Sequence, residues 1–287
     1  MNVENGDEFK ISVIIPTFNR AHTLGSSIES ILNQTSDKWE LIIIDDGSTD
    51  GTPNLMNQYL VDQRIKYYYQ QHQGVSTARN FGVLNAQGDY IIFLDSDDTF
   101  TPNLIDQLYS CQIFKYDVIF WEVMRVTEKV TKIGKPVKLG NIYNKLTANF
   151  LAGCVCYNKD VFLKAGGFDP KITFGENYEL GIRISWLSNL KIKIIDYPFL
   201  IYNIKTHGRT SNSIENRLNS YVYQLKKHDL LYSQNIRARA EMHYLMGFVL
   251  EKNKSYSEAI ISYKKSWLAY PLNIKPLLKI LYLQTLI

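Results

Sequence analysis

Three carboxylates stand within four residues in Asp95-Ser96-Asp97-Asp98, directly after the apolar run Tyr90-Ile91-Ile92-Phe93-Leu94. Acidic groups this close repel each other unless a cation or hydrogen-bond donors compensate them. A hard divalent ion with oxygen ligands, Mg²⁺ or Mn²⁺, is the simplest compensation, and such ions bridge phosphates. Taken alone, a D-x-D is also an ordinary acidic turn after a strand. What separates the two readings is how other stretches line up with it.

Those stretches recur with one rhythm. Ile11-Ser12-Val13-Ile14-Ile15 reads as a buried strand ended by Pro16-Thr17-Phe18-Asn19-Arg20. Leu24, Ile28, Ile31 and Leu32 then share one helical face. Trp39 and Leu41-Ile42-Ile43-Ile44 make a second strand, stopped by Asp45-Asp46-Gly47-Ser48. A helix is expected from Thr52, with Pro53 in its first turn, to about Val61. Ile65-Lys66-Tyr67-Tyr68-Tyr69 is a third strand, and Gly74-Val75-Ser76-Thr77-Ala78-Arg79-Asn80 enters a helix ending near Gly88. The alternation predicts a mainly parallel, Rossmann-like α/β sheet flanked by helices. Ligands bind outside the carboxyl ends of such strands, so the Pro16, Asp45 and Asp95 segments should meet on one rim. No G-x-G-x-x-G follows the first strand and no G-x-x-x-x-G-K-[ST] occurs, which removes the main support for dinucleotide and P-loop readings.

Val13-Ile14-Ile15-Pro16-Thr17-Phe18-Asn19, Ile44-Asp45-Asp46-Gly47-Ser48, Gly74 to Asn80 and Phe93-Leu94-Asp95-Ser96-Asp97-Asp98 resemble the successive signatures of family 2 glycosyltransferases over residues 10–210. The resemblance implies inverting transfer on a type A nucleotide-sugar-binding fold. It implies that Pro16 and Phe18 line the base pocket and that Asp46 accepts a hydrogen bond from the base. Arg79 would lie near the phosphates, and Asn19 and Ser96 would complete the donor-binding set. Asp95 and Asp97 would be the D-x-D, with Asp97 the more direct ligand of Mn²⁺ or Mg²⁺. Asp45 reads instead as a turn residue.

Gly166-Gly167-Phe168-Asp169 and Gly175-Glu176-Asn177-Tyr178-Glu179 resemble the family's acceptor-side turn and helix start. One departure matters, because Asn177 stands where the family carries its general base, an Asp. An amide cannot take up a proton. Glu176 and Glu179 are the neighbouring carboxylates, with a helix-dipole role and a salt bridge to Arg183 as their bland alternatives. Tyr202 to Ser211 resembles the family's closing aromatic–His–Ser segment, which implies that His207 approaches the metal or phosphates.

The chain carries 32 Lys and Arg against 28 Asp and Glu, unevenly spread. Residues 1–100 hold 6 against 14, and residues 101–287 hold 26 against 14. An acidic half joined to a basic half suits an anionic acceptor or a membrane surface. With no nucleic-acid motif, the basic residues read as solvated surface and no nucleic-acid partner is expected. Three cysteines offer neither a disulfide framework nor a zinc spacing, and the polar, acidic N-terminus is unlike a secretory signal, so a cytoplasmic protein is expected. Residues 1–213 read as the catalytic domain and 214–287 as a small all-α tail. Gly247, Tyr256, Ala259, Tyr263 and Pro271 have the spacing of one tetratricopeptide-type helix pair, which must pack on something. Capping or a homo-oligomer contact is the first reading of the tail, and peripheral docking at the inner membrane face the second.

The expected function is transfer of a hexose-type sugar from a nucleotide diphosphate donor, a UDP-sugar first, to a saccharide or lipid-linked glycan in cell-surface polysaccharide synthesis. Two other classes stay open. A sugar-nucleotide-binding scaffold subunit is favoured by Asn177. A nucleotidyltransferase would want a Gly-rich basic loop after the first strand, which Pro16-Thr17-Phe18-Asn19-Arg20 does not supply.

Overall fold

The computed structural model describes residues 10–204 and 213–287, so His207 lies outside the described residues. Strands β1 (Ile11–Thr17) and β2 (Trp39–Asp45) are buried along their whole length. Near-continuous branched runs do this when both faces of a parallel sheet are covered. The two pair in parallel, Ile11 beside Trp39 and Thr17 beside Asp45. Between them α1 (Ala21–Leu32) buries Leu24, Ile28 and Ile31, the face its periodicity predicts. Helix α2 is shorter than expected, Thr52–Met56. Further on, the Asp62 carboxylate takes the Arg64 amide and side chain at the turn into β3 (Ile65–Tyr69).

Helix α3 (Val75–Asn85) leads to β4 (Tyr90–Phe93), and the short β5 (Thr99–Phe100) and α4 (Leu104–Ser110) follow. A hairpin comes next, with β6 (Val118–Val126) paired antiparallel to β7 (Thr131–Gly134). Two short strands, β8 (Val137–Lys138) and β9 (Thr147–Ala148), pair with each other. Then come β10 (Val155–Asn158), α5 (Lys159–Lys164), α6 (Glu176–Ser185) and β11 (Ile192–Asn203). The remaining helices are α7 (Ile214–Lys227), α8 (Asp229–Gln234), α9 (Ile236–Lys252), α10 (Tyr256–Ala269) and α11 (Lys275–Gln284).

Among the described residues the main sheet runs β3-β2-β1-β4-β10-β6-β11-β5, with β7 beside β6. Its first half, β3 to β4, is parallel throughout. Beyond β4 it is mixed: β10 is antiparallel to both neighbours, while β6 and β11 run parallel. The Rossmann-like expectation therefore describes the half that carries the sequence motifs. No helix among the described residues is long and apolar enough to cross a membrane.

Contacts divide the chain into two compact units. One takes the chain as far as Lys138, then Thr147–Pro170 and the stretch from Arg183 through β11. The other takes Leu139–Leu146, Lys171–Ile182 and helices α7 to α11. Two pieces of the first 213 residues thus group with the tail. Ile142, Ile182 and Tyr232 form a buried cluster in that second unit, and Ala259, Tyr263, Ile280 and Leu283 form another.

In the first unit the amino end of the parallel strands is stitched by one buried acid. Glu40 accepts from Ser12 Oγ at 2.7 Å, Lys66 Nζ at 2.9 Å and the Gln87 amide at 2.6 Å. Burial pushes its carboxyl upward, but these donors outweigh burial and hold it below the usual 4.5. Glu40→Ala should destabilise by roughly 3–5 kcal/mol at neutral pH, because it strands the buried partners of a charge. A depressed folded pKa gives stability that is full above 4.5 and lost as pH falls through the lower folded value. Urea titrations of both proteins should therefore converge on acidification.

Candidate functional site

The rim at the carboxyl ends of β1 and β2 is held by side chains that close on loop backbone. Asp45 is fully buried; its carboxylate accepts the Ser48 amide at 2.7 Å and the Tyr67 hydroxyl at 2.5 Å. It is a turn residue, as the sequence implies. Burial, then the Asp45 bond, push the Tyr67 hydroxyl pKa well above its ordinary value. Asn19 adopts a left-handed φ of 53°, and its Oδ1 accepts the Thr49 amide at 2.8 Å. Ser48 Oγ in return accepts the Asn19 amide at 2.8 Å. The loops after β1 and β2 are thereby zipped together.

Asp46 is 3% exposed and organises the next loop. Its carboxylate accepts from Gln70 Nε2 at 2.6 Å and from the Gln73 and Gly74 amides at 2.8 Å each, while His72 Nδ1 lies 3.1 Å from the Asp46 carbonyl and 2.9 Å from the carboxylate. A carboxylate offers about four acceptor sites, and three donors already occupy this one. A base hydrogen bond to Asp46 would take the remaining acceptor site or compete with the Gln70 side chain. The close approach of this loop depends on Gly47, whose φ is +88° and whose Cβ, if present, would stand 2.9 Å from the His72 nitrogen. Phe18 is 41% exposed and stacks on the His72 ring at 4.3 Å. That stack is a flat apolar platform on the rim, suited to a planar base. Pro16, inside β1, pairs with Ile44 and sets where the platform begins.

The acidic turn follows β4 one strand over. Arg79, on α3 and 2% exposed, donates from Nη2 to Asp95 Oδ1 at 2.7 Å. Its guanidinium also lies 5.2 Å from the centre of the Phe168 ring. Asp98 is fully buried, and its Oδ1 accepts the Asn203 amide at 2.9 Å at the end of β11. Ser27 Oγ donates to the Asp98 carbonyl at 2.7 Å, and Ser96 is buried beside them. Asp95, Asp97 and Asp98 each offer a carboxylate oxygen within 4.8 Å of the others. All-oxygen, anionic donors at that spacing fit a hard divalent cation.

Asn80 clamps the turn after α5. Its Nδ2 donates to the Phe168 carbonyl at 2.8 Å, and its Oδ1 accepts the Phe168 amide at 2.9 Å. Gly167, at φ +63°, makes room for it; a Cβ there would stand 2.8 Å from Asn80 Oδ1. Arg183 donates to the Ala165 carbonyl. Within the second unit, Asn177 and Glu176 are both half-buried at the start of α6, with Asn177 Nδ2 3.3 Å from Glu176 Oε1. Glu179 is fully buried, and its Oε1 takes Lys227 Nζ at 2.9 Å and His228 Nε2 at 2.8 Å.

Residues 12–162 match the family described as Glycosyl transferase family 2. A β-1,3-glucosyltransferase of Escherichia coli, WfgD, named for UDP-Glc and α-D-GlcNAc-diphosphoundecaprenol, is 31% identical over 255 residues, covering 85% of this chain and 94% of WfgD. The chain belongs to glycosyl transferase family 2. An uncharacterized glycosyltransferase of Rickettsia bellii is 45% identical over 97 residues, but the match spans only 34% of this chain and 14% of that protein. In fold, the chain is similar to S. aureus TarS 1-349 crystallised with UDP-GlcNAc. The TM-score is 0.68 at 17% identity, over 91% of this chain and 81% of that one. The α/β fold expected from the motifs is thus the fold of this glycosyltransferase.

Sequence reading missed the partners that hold the family residues: Gln70, His72 and Gln73 on Asp46, Tyr67 on Asp45, Asn203 on Asp98. Each joins segments more than 20 residues apart, and only the polar loop composition hinted at them. Asp46→Asn in this glycosyltransferase should cost about 1.5–3 kcal/mol, the worth of hydrogen bonds to a charged group. Hydrogen exchange should quicken at the Gln73 and Gly74 amides while the β1 and β2 amides stay protected.

Proposed function

We propose that this glycosyltransferase moves a sugar, with inversion, from a UDP-sugar to a hydroxyl of a lipid-diphosphate-linked glycan, using Mn²⁺ or Mg²⁺. The observation that carries the reading is the acidic turn after β4, with three carboxylates converging and a buried Arg79 bonded to one of them. Support for the donor and acceptor classes comes from the name of WfgD, matched over nearly its whole length, and from the UDP-GlcNAc and UDP complexes of TarS. The basic second half suits a peripheral place on an anionic membrane face, where such an acceptor resides.

Phe18 and His72 would carry the base of the donor, and the zipped Asn19–Ser48 loops would keep that platform from shifting. Asp97 would be the leading metal ligand, with Asp95 and Asp98 beside it. A divalent cation bound there supplies charge neutralisation for the departing diphosphate. Arg79 is fixed by Asp95 and adds a permanent positive charge near the phosphates. The acceptor oxygen attacks the anomeric carbon opposite the breaking bond to diphosphate, and its proton must pass to a base. Asn177 cannot receive it. Glu179 holds Lys227 and His228, and Glu176, which accepts from the Asn177 side chain at 3.3 Å, is the other carboxylate of this helix start and the alternative base.

A positioned base contributes roughly 10²–10⁴-fold, so Asn177 bears on turnover and hardly on donor binding. This is the observation that favours a second reading, a donor-binding subunit with weak turnover. Two experiments test these statements. UDP with Mn²⁺ should raise the melting temperature, and a chelator or Asp97→Ala should remove the rise; equal stabilisation of wild type and variant would sink the metal assignment. In steady-state transfer from UDP-glucose to a short-chain α-GlcNAc-diphosphate lipid, Asn177→Asp should gain at least about tenfold with donor affinity unchanged. Ordinary turnover by the unmodified chain that collapses in Glu176→Gln would assign the base to Glu176 instead.

A further inference from the structure

Helix α7 lies beyond the residues that match the family, yet it makes an unusual set of bonds. Ser220 Oγ, fully buried, accepts the amides of Thr173 at 3.2 Å and Phe174 at 3.1 Å. Gln224 Nε2 donates to the Phe174 carbonyl at 3.4 Å. The Arg217 guanidinium sits 4.5 Å over the Phe174 ring, and Tyr221 meets that ring edge-on at 5.8 Å. One turn on, Lys227 and His228 hold Glu179. Positions 217, 220, 221, 224, 227 and 228 repeat at three and four residues, so they form one face of α7 and its end. Every one of these contacts falls on residues 173–179.

A helix that only closed a core would turn mainly apolar residues inward; α10 buries Ala259, Ile260 and Tyr263 beside the small Ser262 and Ser266. The buried residues of α7 are instead Ser220, Tyr221 and Gln224. Burying polar groups costs free energy unless their bonds are made, so such a face accepts one placement of its partner and rejects slipped ones. The partner here is the loop and first turn of α6, the backbone that presents Glu176 and Asn177.

We propose that α7 is a positioning element for the acceptor side of this enzyme, with Ser220, Gln224 and Lys227 fixing residues 173–179 where proton transfer needs them. The proposal rests on the reading of that helix start as the acceptor side. It makes the tail part of the transferase rather than an appendage, since a cut at residue 213 would remove all of these partners.

The test uses the full chain with Ser220→Ala, Lys227→Ala and Lys227→Arg, and takes three readouts. Amide exchange at residues 173–179 should quicken at least tenfold in both alanine variants. For transfer from UDP-glucose to the α-GlcNAc-diphosphate lipid, kcat/KM for the acceptor should fall at least tenfold, while the Kd for UDP with Mn²⁺ stays within twofold. Lys227→Arg keeps the charge on Glu179 and should return transfer to within threefold of wild type. Should Ser220→Ala fail to fold, the Lys227 pair still decides, because that side chain reaches the surface. Unchanged exchange, unchanged acceptor kinetics, or donor affinity falling in step with transfer would each overturn the proposal. A wild type that binds UDP but transfers to nothing would sink the transferase reading instead, and the exchange measurement would still decide whether α7 fixes the segment.

Discussion

The rim at the carboxyl ends of the parallel strands depends on the repulsion within the turn after β4. Two unit charges about 4.8 Å apart at an effective dielectric near 20 repel by roughly 3 kcal/mol, and three such charges triple the pairs. The fold relieves this by giving the carboxylates separate partners from separate elements. Asp95 has the guanidinium of Arg79 from α3, and Asp98 has the Asn203 amide from the end of β11. The turn itself is pinned from a third side, by Ser27 of α1. Its geometry is therefore fixed by α1, α3 and β11 together, and a cation arriving there would meet ligands whose backbone is already placed. That residual mutual repulsion is the physical ground for the cation proposed there.

The same logic runs through the neighbouring loops. A buried carboxylate that must find donors is an efficient way to fold a loop, because loop amides are donors without partners. Asp45 and Asp46 each do this, the first within its own turn and the second across to residues 70–74. The aromatic platform of Phe18 and His72 is a consequence, since His72 reaches Phe18 only because Asp46 holds its loop.

Much of this was legible in the sequence, and the boundary of legibility has a physical cause. The buried runs of β1, β2 and β4, the amphipathic face of α1 and the polar residues closing each strand follow from local periodicity and turn chemistry. They were enough to place the acidic turn, Asp46 and Phe18 on one rim. Periodicity says nothing about which amide a carboxylate will choose 25 residues away, so the Gln70, Gln73 and Asn203 contacts were invisible. Apolar residues continuing to Val61 suggest a longer helix α2 than the Thr52–Met56 turn and a half that forms, because periodicity alone does not mark where a short helix stops. The grouping of residues 139–146 and 171–182 with the tail was equally hidden. It comes from Ile142, Ile182 and Tyr232 meeting across 90 residues of chain.

The strand-end rim and the helix start with Glu176 and Asn177 are thus built by different means, and under the proposed function this bears on how such an enzyme can vary. The donor rim sits on strand ends whose pairing fixes the backbone, with carboxylates and amides closing every loop. Changing it would disturb the sheet. The helix start with Glu176 and Asn177 is held instead by side chains of α7, which lies outside the matched family region. A substitution on α7 can shift that segment without touching a strand. The Asn at position 177 stands on this adjustable side. Under the proposed function, an amide in place of a carboxylate there would alter proton transfer and leave the rim's construction as it is. On physical grounds, the acceptor and the rate are where relatives with this fold should diverge, and the nucleotide end is where they should stay alike.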